Sequence, residues 1–281
     1  MYQPVVVGSG VGAWNFLKAT KARQVENFAQ SAQVTRSLKN FREALPEIET
    51  AEQLVNDRRA LEVALGAFGL QEDINNKFFI KKVIEEGVED RAALANRLTD
   101  NRYRDLATAF NYLTPSGATV ENADVENIEN KFIRSQFAVA VGEVSNPMRL
   151  ALNFENSMSE LAAGTLSNDG KWFRVMGSPP LRKVMETALG LPSNIGNLDI
   201  DTQLEMFKDK ASSRFGSSDI NDLASPEGTN SIIERFAVLD QLNSSTFQRA
   251  QSNVALALLS GGSFGQPFQP PQLLETLYPS R

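Results

Sequence analysis

The sequence predicts an all-α protein, elongated and multi-helical, with the option of two related helical units. Apolar residues recur at three- and four-residue steps along most of the chain, the spacing that lines one face of a helix. Those runs begin and end at residues suited to helix termini. Composition agrees: 42% hydrophobic and 22% charged residues in 281 positions are ordinary for a soluble globular chain with a sizeable core.

Taken in order, Trp14, Leu17, Val25, Phe28, Ala32 and Leu38 mark one long N-terminal helix, its stripe interrupted at Lys21. Thr50 and Gln53 have the spacing of a capping box. It opens a helix whose apolar face holds Leu54, Leu61, Ala64, Leu65 and Phe68, and Gly69 suits its stop. Shorter helices are expected over 75–86, 90–98 and 101–112, with Gly87 between the first two. Asn146-Pro147 and Ser178-Pro179 each set a capping residue before a proline, so helices start there and end near Gly164 and Gly190. A last long helix carries Ile232, Phe236, Leu239, Phe247, Ala250, Val254 and Ala257. Beyond Ser260-Gly261-Gly262 an extended tail, 261–281, is expected.

These elements suggest a helical unit over 1–120, a second over 121–260 that ends in the last long helix, and the tail, with a single domain as the alternative. Arg59–Leu70 aligns with Pro180–Leu191, with Val, Ala, Gly and Leu coinciding at one offset. Further on, Leu98-Thr99-Asp100 aligns with Phe207-Lys208-Asp209 after a shorter spacer. Either a helix-loop-helix unit is duplicated, or a capped helix ending in Gly-Leu recurs because helix chemistry favours it.

The chain holds neither cysteine nor histidine, which removes the side chains most used for nucleophilic, acid–base and transition-metal chemistry near neutral pH. Net charge −6 and the lack of any basic stripe longer than Lys81-Lys82 argue against nucleic acid. No apolar run is long enough to cross a bilayer, and the start lacks the pattern of a signal peptide.

Motifs that carry chemistry elsewhere are weak here. Val5-Val6-Val7 leads into Gly8-Ser9-Gly10-Val11-Gly12-Ala13, a dinucleotide-turn pattern without alternating strands or an acidic residue closing a second strand. Residues 5–13 are therefore expected to be extended or poorly ordered and to bind no nucleotide. Acidic residues cluster at Glu85, Glu86, Glu89 and Asp90, and at Asp199, Asp201, Asp219 and Asp222, without the spacing of a Ca²⁺ loop. Ser212-Ser213 and Ser217-Ser218 have no histidine base, and Lys210 nearby brings no supporting pattern. Trp14, Trp172, Phe78, Phe79 and Phe154 are expected in the core. Arg58, Arg59, Arg97, Arg102 and Arg104 are expected to pair with Asp57, Asp100 and Asp105 across adjacent helices. No catalytic, cofactor-binding or metal-binding residue is assigned.

Several stretches carry a resemblance: Met1-Tyr2-Gln3-Pro4-Val5-Val6 with Trp14, Leu54–Arg59 running into Ala64–Leu70, Asn76-Lys77-Phe78-Phe79-Ile80, Leu94–Leu98 before Arg102-Tyr103, and Met148–Phe154. Together they resemble a family of α-helical alphaproteobacterial proteins, a domain of unknown function whose genes often lie among flagellar genes. The resemblance implies a non-enzymatic structural or assembly component of the flagellum, with other proteins, flagellar components among them, as partners and self-association open. Its alternatives are a cytoplasmic chaperone or adaptor for flagellar export and, more distantly, a carboxylate-dependent glycan hydrolase. Location is expected to be cytoplasmic or reached through the flagellar export pathway.

Overall fold

The computed structural model describes residues 2–114, 122–192 and 194–244, with side chains from residue 125 in the second stretch. Among them are fourteen α-helices, four short 3₁₀ segments and no strand. The α-helices are α1 (Gly10–Ala29), α2 (Ala32–Ala44), α3 (Ala51–Asn56), α4 (Arg58–Ala67), α5 (Lys77–Glu86), α6 (Leu94–Arg97) and α7 (Arg102–Ala109), followed by α8 (Asn122–Gly142), α9 (Asn146–Ala163), α10 (Asn168–Gly177), α11 (Pro179–Leu189), α12 (Ile200–Phe215), α13 (Ile220–Leu223) and α14 (Pro226–Asn243). The all-α class is as the sequence predicts. The chain divides into Met1–Gln241 and Leu242–Arg281, and only 242–244 of the second part are described. Phe247, Ala250, Val254, Ala257 and the tail lie outside the described residues.

Several helix ends fall where their residues place them. Thr50 Oγ1 accepts from Gln53 N at 3.2 Å while Gln53 Oε1 accepts from Thr50 N at 3.0 Å, a complete capping box. Proline follows Ser178 at the start of α11, and Gly164 ends α9. Ahead of α9 the cap is Ser145, not Asn146, which sits in the first turn and accepts from Arg149.

Two expected helices are each divided. The N-terminal one breaks at Gln30-Ser31, where Ser31 is extended and α2 begins. Phase explains the break: Ala13, Trp14, Leu17 and Phe28 share one face, whereas Val34, Leu38 and Phe41 would lie roughly a quarter turn away on a continuous helix. Bending at Ser31 lets both faces reach the core. The second breaks at Asp57, whose carboxylate caps α4 by accepting from Arg59 N and Ala60 N at 2.9 and 3.0 Å. The helix expected over 90–98 shrinks to α6. Asp90 accepts from Ala92 N, and Asn96 donates to the carbonyls of Val88 and Asp90, local bonds that compete with helix.

One cluster of buried side chains runs from Ala13 to Ala237, with members on both sides of residue 120. Its centre is the antiparallel pair α8 and α9, with α4 laid along α8 and α11 along α9. Gly66 makes the first of these contacts close, since a Cβ there would stand 2.7 Å from Phe132 Cε2. The aligned segments 59–70 and 180–191 correspond atom for atom at their ends. Gly69 and Gly190 take φ of +69° and +67°, and Leu70 N and Leu191 N each donate at 2.9 Å to the carbonyls of Leu65 and Glu186, the long bond of a Schellman stop. The correspondence ends there, because Leu98 is extended after α6 while Phe207 is buried inside α12.

Trp14, Trp172 and Phe154 are in the core, and Phe79 stacks edge-on against Tyr103 with ring centres 5.1 Å apart. Phe78 is not: it is 82% exposed. Its neighbours Phe79 and Ile80 take the inward positions of α5, which leaves Phe78 on the opposite face. The N-terminal segment forms neither helix nor strand through Val7, and it is tied to α1. The buried Gln24 side chain donates to Val5 O and accepts from Val5 N, at 3.0 and 2.8 Å, and Tyr2 packs edge-on against Phe28. Helix α1 then starts at Gly10, so residues 10–13 are helical. No helix among the described residues is long and apolar enough to cross a membrane.

Candidate functional site

Helices α8 and α9 bury one face each and leave a polar stripe on the other. On α8 the stripe is Asn127, Lys131, Arg134 and Ser135; on α9 it is Arg149, Asn153, Asn156, Ser157 and Glu160. Each repeats at helical spacing, flanked on α8 by the buried Phe132 and Phe137 and lying on α9 away from Met148, Phe154 and Met158. These stripes form much of an open groove of about 840 Å³, completed by the end of α4, by α7, and by the segments around Leu166 and Ser178. Lys171 helps hold the wall formed by α9 and α10. Buried at 4% exposure, it donates to Ala162 O in the last turn of α9 and to Asn221 Oδ1 on α13, at 3.2 and 2.7 Å.

Six Arg or Lys and two Asp or Glu line the groove, in a chain whose net charge is −6. Both acids are engaged: Asp105 accepts from Arg174 and Glu160 from Lys131, each at 2.5 Å. Although part of Asp105 meets water, burial pushes its carboxyl above the ordinary Asp value, and Arg174 and Lys131 oppose that rise while Glu160 adds to it. The four residues thus form one charge network linking α7, α8, α9 and α10. Arg102 is also occupied, donating to Asp100 and to the carbonyl of Gly69 at the end of α4. Arg104, Arg134 and Arg149 pair with no acid among the described residues. Arg149 lies across the end of α8, where a Cβ on Gly142 would stand 2.6 Å from its Cδ. Two amide atoms of the lining, Gln71 Nε2 and Asn111 Oδ1, are shielded from water without a hydrogen-bond partner among the described residues, a cost of about 1–3 kcal/mol each.

Next to Arg102, Tyr103 donates to Asp73 Oδ2 at 2.7 Å. Its phenol is pushed up to about 12, by burial first and then by that hydrogen bond. The folded state therefore holds the proton more tightly than the unfolded chain, whose ordinary value is 10.0. The stability this supplies is whole below the unfolded value and is lost as pH rises through the folded one. Urea melts at about pH 9 and about pH 11 are expected to show that loss in the wild type and a smaller one in Tyr103→Phe. Equal losses in both proteins would refute the assignment.

Six of the eight acids in the clusters that stand out in the sequence are put to structural use. Glu85 and Glu86 pair with Lys81 and Lys82, and Asp90 caps a turn. Asp199 caps α12, its carboxyl held low by hydrogen bonds from Thr202. Asp219 caps α13, while Asp222 accepts from Ser217 Oγ. Among the described residues no group of three or more acids is placed to hold a metal. With no strand beside it among the described residues, the Gly8–Ala13 pattern lacks the sheet of a dinucleotide fold. The expected pairs between arginines and Asp57, Asp100 and Asp105 are realised differently: Asp57 caps a helix, Asp100 pairs within its own turn, and Asp105 reaches across to Arg174. The groove itself is not among the sequence-based expectations, although the two polar stripes that build it stand in the sequence at helical spacing.

The family model described as a protein of unknown function (DUF1217) matches residues 67–229, more than half of the chain. The chain belongs to this family. Its matched region contains every residue that lines the groove, from Ala67 to Leu181, while α1, α2 and α3 precede it. The crystal structure of protein AGR_C_984 from Agrobacterium tumefaciens is similar, with 26% sequence identity, a TM-score of 0.69, and coverage of 87% of this chain and 99% of that one. No curated protein matches. The DUF1217 region is thus a helical unit that holds a basic groove built on α8 and α9.

Proposed function

We propose that this DUF1217 protein is a non-enzymatic structural or assembly component that works by binding another protein, in the flagellar setting that its sequence resemblance implies. The observation that carries the reading is the groove, open, cationic, and furnished with amides and apolar side chains alike. Such a mixture suits recognition of a protein surface. A glycan hydrolase would need a carboxyl free to give its proton to a leaving group, and Asp105 and Glu160 are each held by a cation. The export-adaptor reading uses the same groove and differs only in where the protein resides.

Separating cells into cytoplasm, envelope and sheared filament, with detection of this protein, is the deciding experiment. Recovery with the envelope or filament is expected, and loss of the gene should impair assembly of motile flagella. Recovery in the cytoplasm alone would replace this reading by the adaptor. Release of soluble sugar from cell-wall glycan, abolished by Asp105→Asn, would overturn the non-enzymatic reading.

A further inference from the structure

We infer that the groove takes an acidic segment of a partner protein, one that alternates carboxylates with apolar side chains. This rests on the reading of the groove as a protein-binding site and names the chemistry of the partner. The cationic residues of the lining outnumber the acidic ones by four, although the whole chain carries −6, which leaves −10 for the rest of the sequence. A long polyanion such as nucleic acid would meet that surrounding negative charge, whereas a short acidic segment seated in the groove meets only the cations.

Arg104, Arg134 and Arg149 are the groups for the carboxylates. They come from three different helices and spend no charge on an acid of this chain among the described residues. The guanidinium fork suits two-point contact with a carboxylate, at Arg104 and Arg134 above all, since Nε and one terminal nitrogen of Arg149 donate to Asn146 Oδ1. Amide side chains at Asn127, Asn153 and Asn156 stand along the same stripes, each with a donor and an acceptor for peptide backbone. Phe68, Leu161 and Leu166 supply apolar surface in the same lining. Inorganic phosphate would use the arginines and leave that apolar surface idle. A second copy of this chain is the competing protein occupant, since Glu89 and Asp90 are exposed.

The test is selection from a random peptide library displayed on phage, against the full chain, followed by anisotropy titration of the selected peptides after labelling. Selected peptides should be enriched in Asp and Glu beside apolar residues, and binding should weaken steeply between about 50 and about 500 mM salt. Arg134→Glu and Arg104→Glu, both at exposed positions, should keep the helical circular dichroism of the wild type and each lower affinity about tenfold or more. Peptides without acidic enrichment that still lose affinity in these variants would overturn the partner chemistry and leave the binding groove standing. Selection of no peptide sensitive to either variant would sink both. Displacement of bound peptide by short single-stranded DNA or by inorganic phosphate at equal charge would make the groove a general anion site and refute the inference. So would concentration-dependent self-association in sedimentation that both Arg134→Glu and Asp90→Lys abolish, because the occupant would then be a second copy.

Discussion

Replacing Phe236 by Asp is expected to unfold the chain outright. Phe236 has no exposed surface and sits on α14 among Ile232, Ile233 and Ala237, all equally enclosed. Deleting a buried phenylalanine side chain costs about 3–5 kcal/mol, and a carboxylate left unpaired in its place adds several more. The sum rivals the whole stability of a typical domain, about 5–15 kcal/mol. Phe28→Asp should act in the same direction and more mildly, because Phe28 keeps 8% of its surface exposed and lies between the rings of Tyr2 and Phe137. Circular dichroism and sedimentation on both variants check this. A folded Phe236→Asp monomer that had only lost the ability to assemble would mean that the stripe is a seam between chains and not part of this core.

The buried position of Trp14, Leu17, Phe28 and Leu38, and of Ile232 and Phe236, is open in the sequence, because three- and four-residue spacing says that a face must be covered and not by what. Helix caps are more legible. Thr50 with Gln53, Gly69, Gly164 and Gly190 act through atoms within a few residues, so their chemistry is complete in the local sequence. The breaks at Ser31 and Asp57 are hidden by continuous apolar spacing. At Ser31 the signal is a shift of phase, and at Asp57 an acid able to cap the turn that follows it. Helix α8 escapes the sequence reading because its buried residues change face along its length, with Ile128 and Phe132 on one side and, after a five-residue step, Phe137 and Val141 on the other.

The groove is illegible for a different reason. Asp105 pairs with Arg174 and Lys131 with Glu160, partners 69 and 29 residues apart, and no local pattern tells which acid will meet which base. Once α8 and α9 are paired, both polar stripes face one concavity and the excess of cations follows from their residues. The distinction between an engaged arginine such as Arg174 and an unengaged one such as Arg134 exists only after folding.

Long-range pairing also sets the second large effect, at Arg42 and Glu129. Arg42 on α2 grips the carboxylate of Glu129 on α8 with both arms of its fork, Nε to Oε1 and a terminal nitrogen to Oε2, each at 2.5 Å. The partners are unequally placed: the Glu129 side chain is 6% exposed and that of Arg42 63%. Losing Arg42 strands an acid in the core, whereas losing Glu129 frees a cation that already faces water. Arg42→Ala should therefore cost about 3 kcal/mol or more. Glu129→Leu should cost less, and Arg42→Ala combined with Glu129→Leu should recover most of the stability lost with Arg42 alone. Urea denaturation of the wild type, both single variants and the double variant closes the cycle. Equal losses in the two single variants, simply adding in the double, would show that the pair is uncoupled and that water screens Glu129 despite its enclosure.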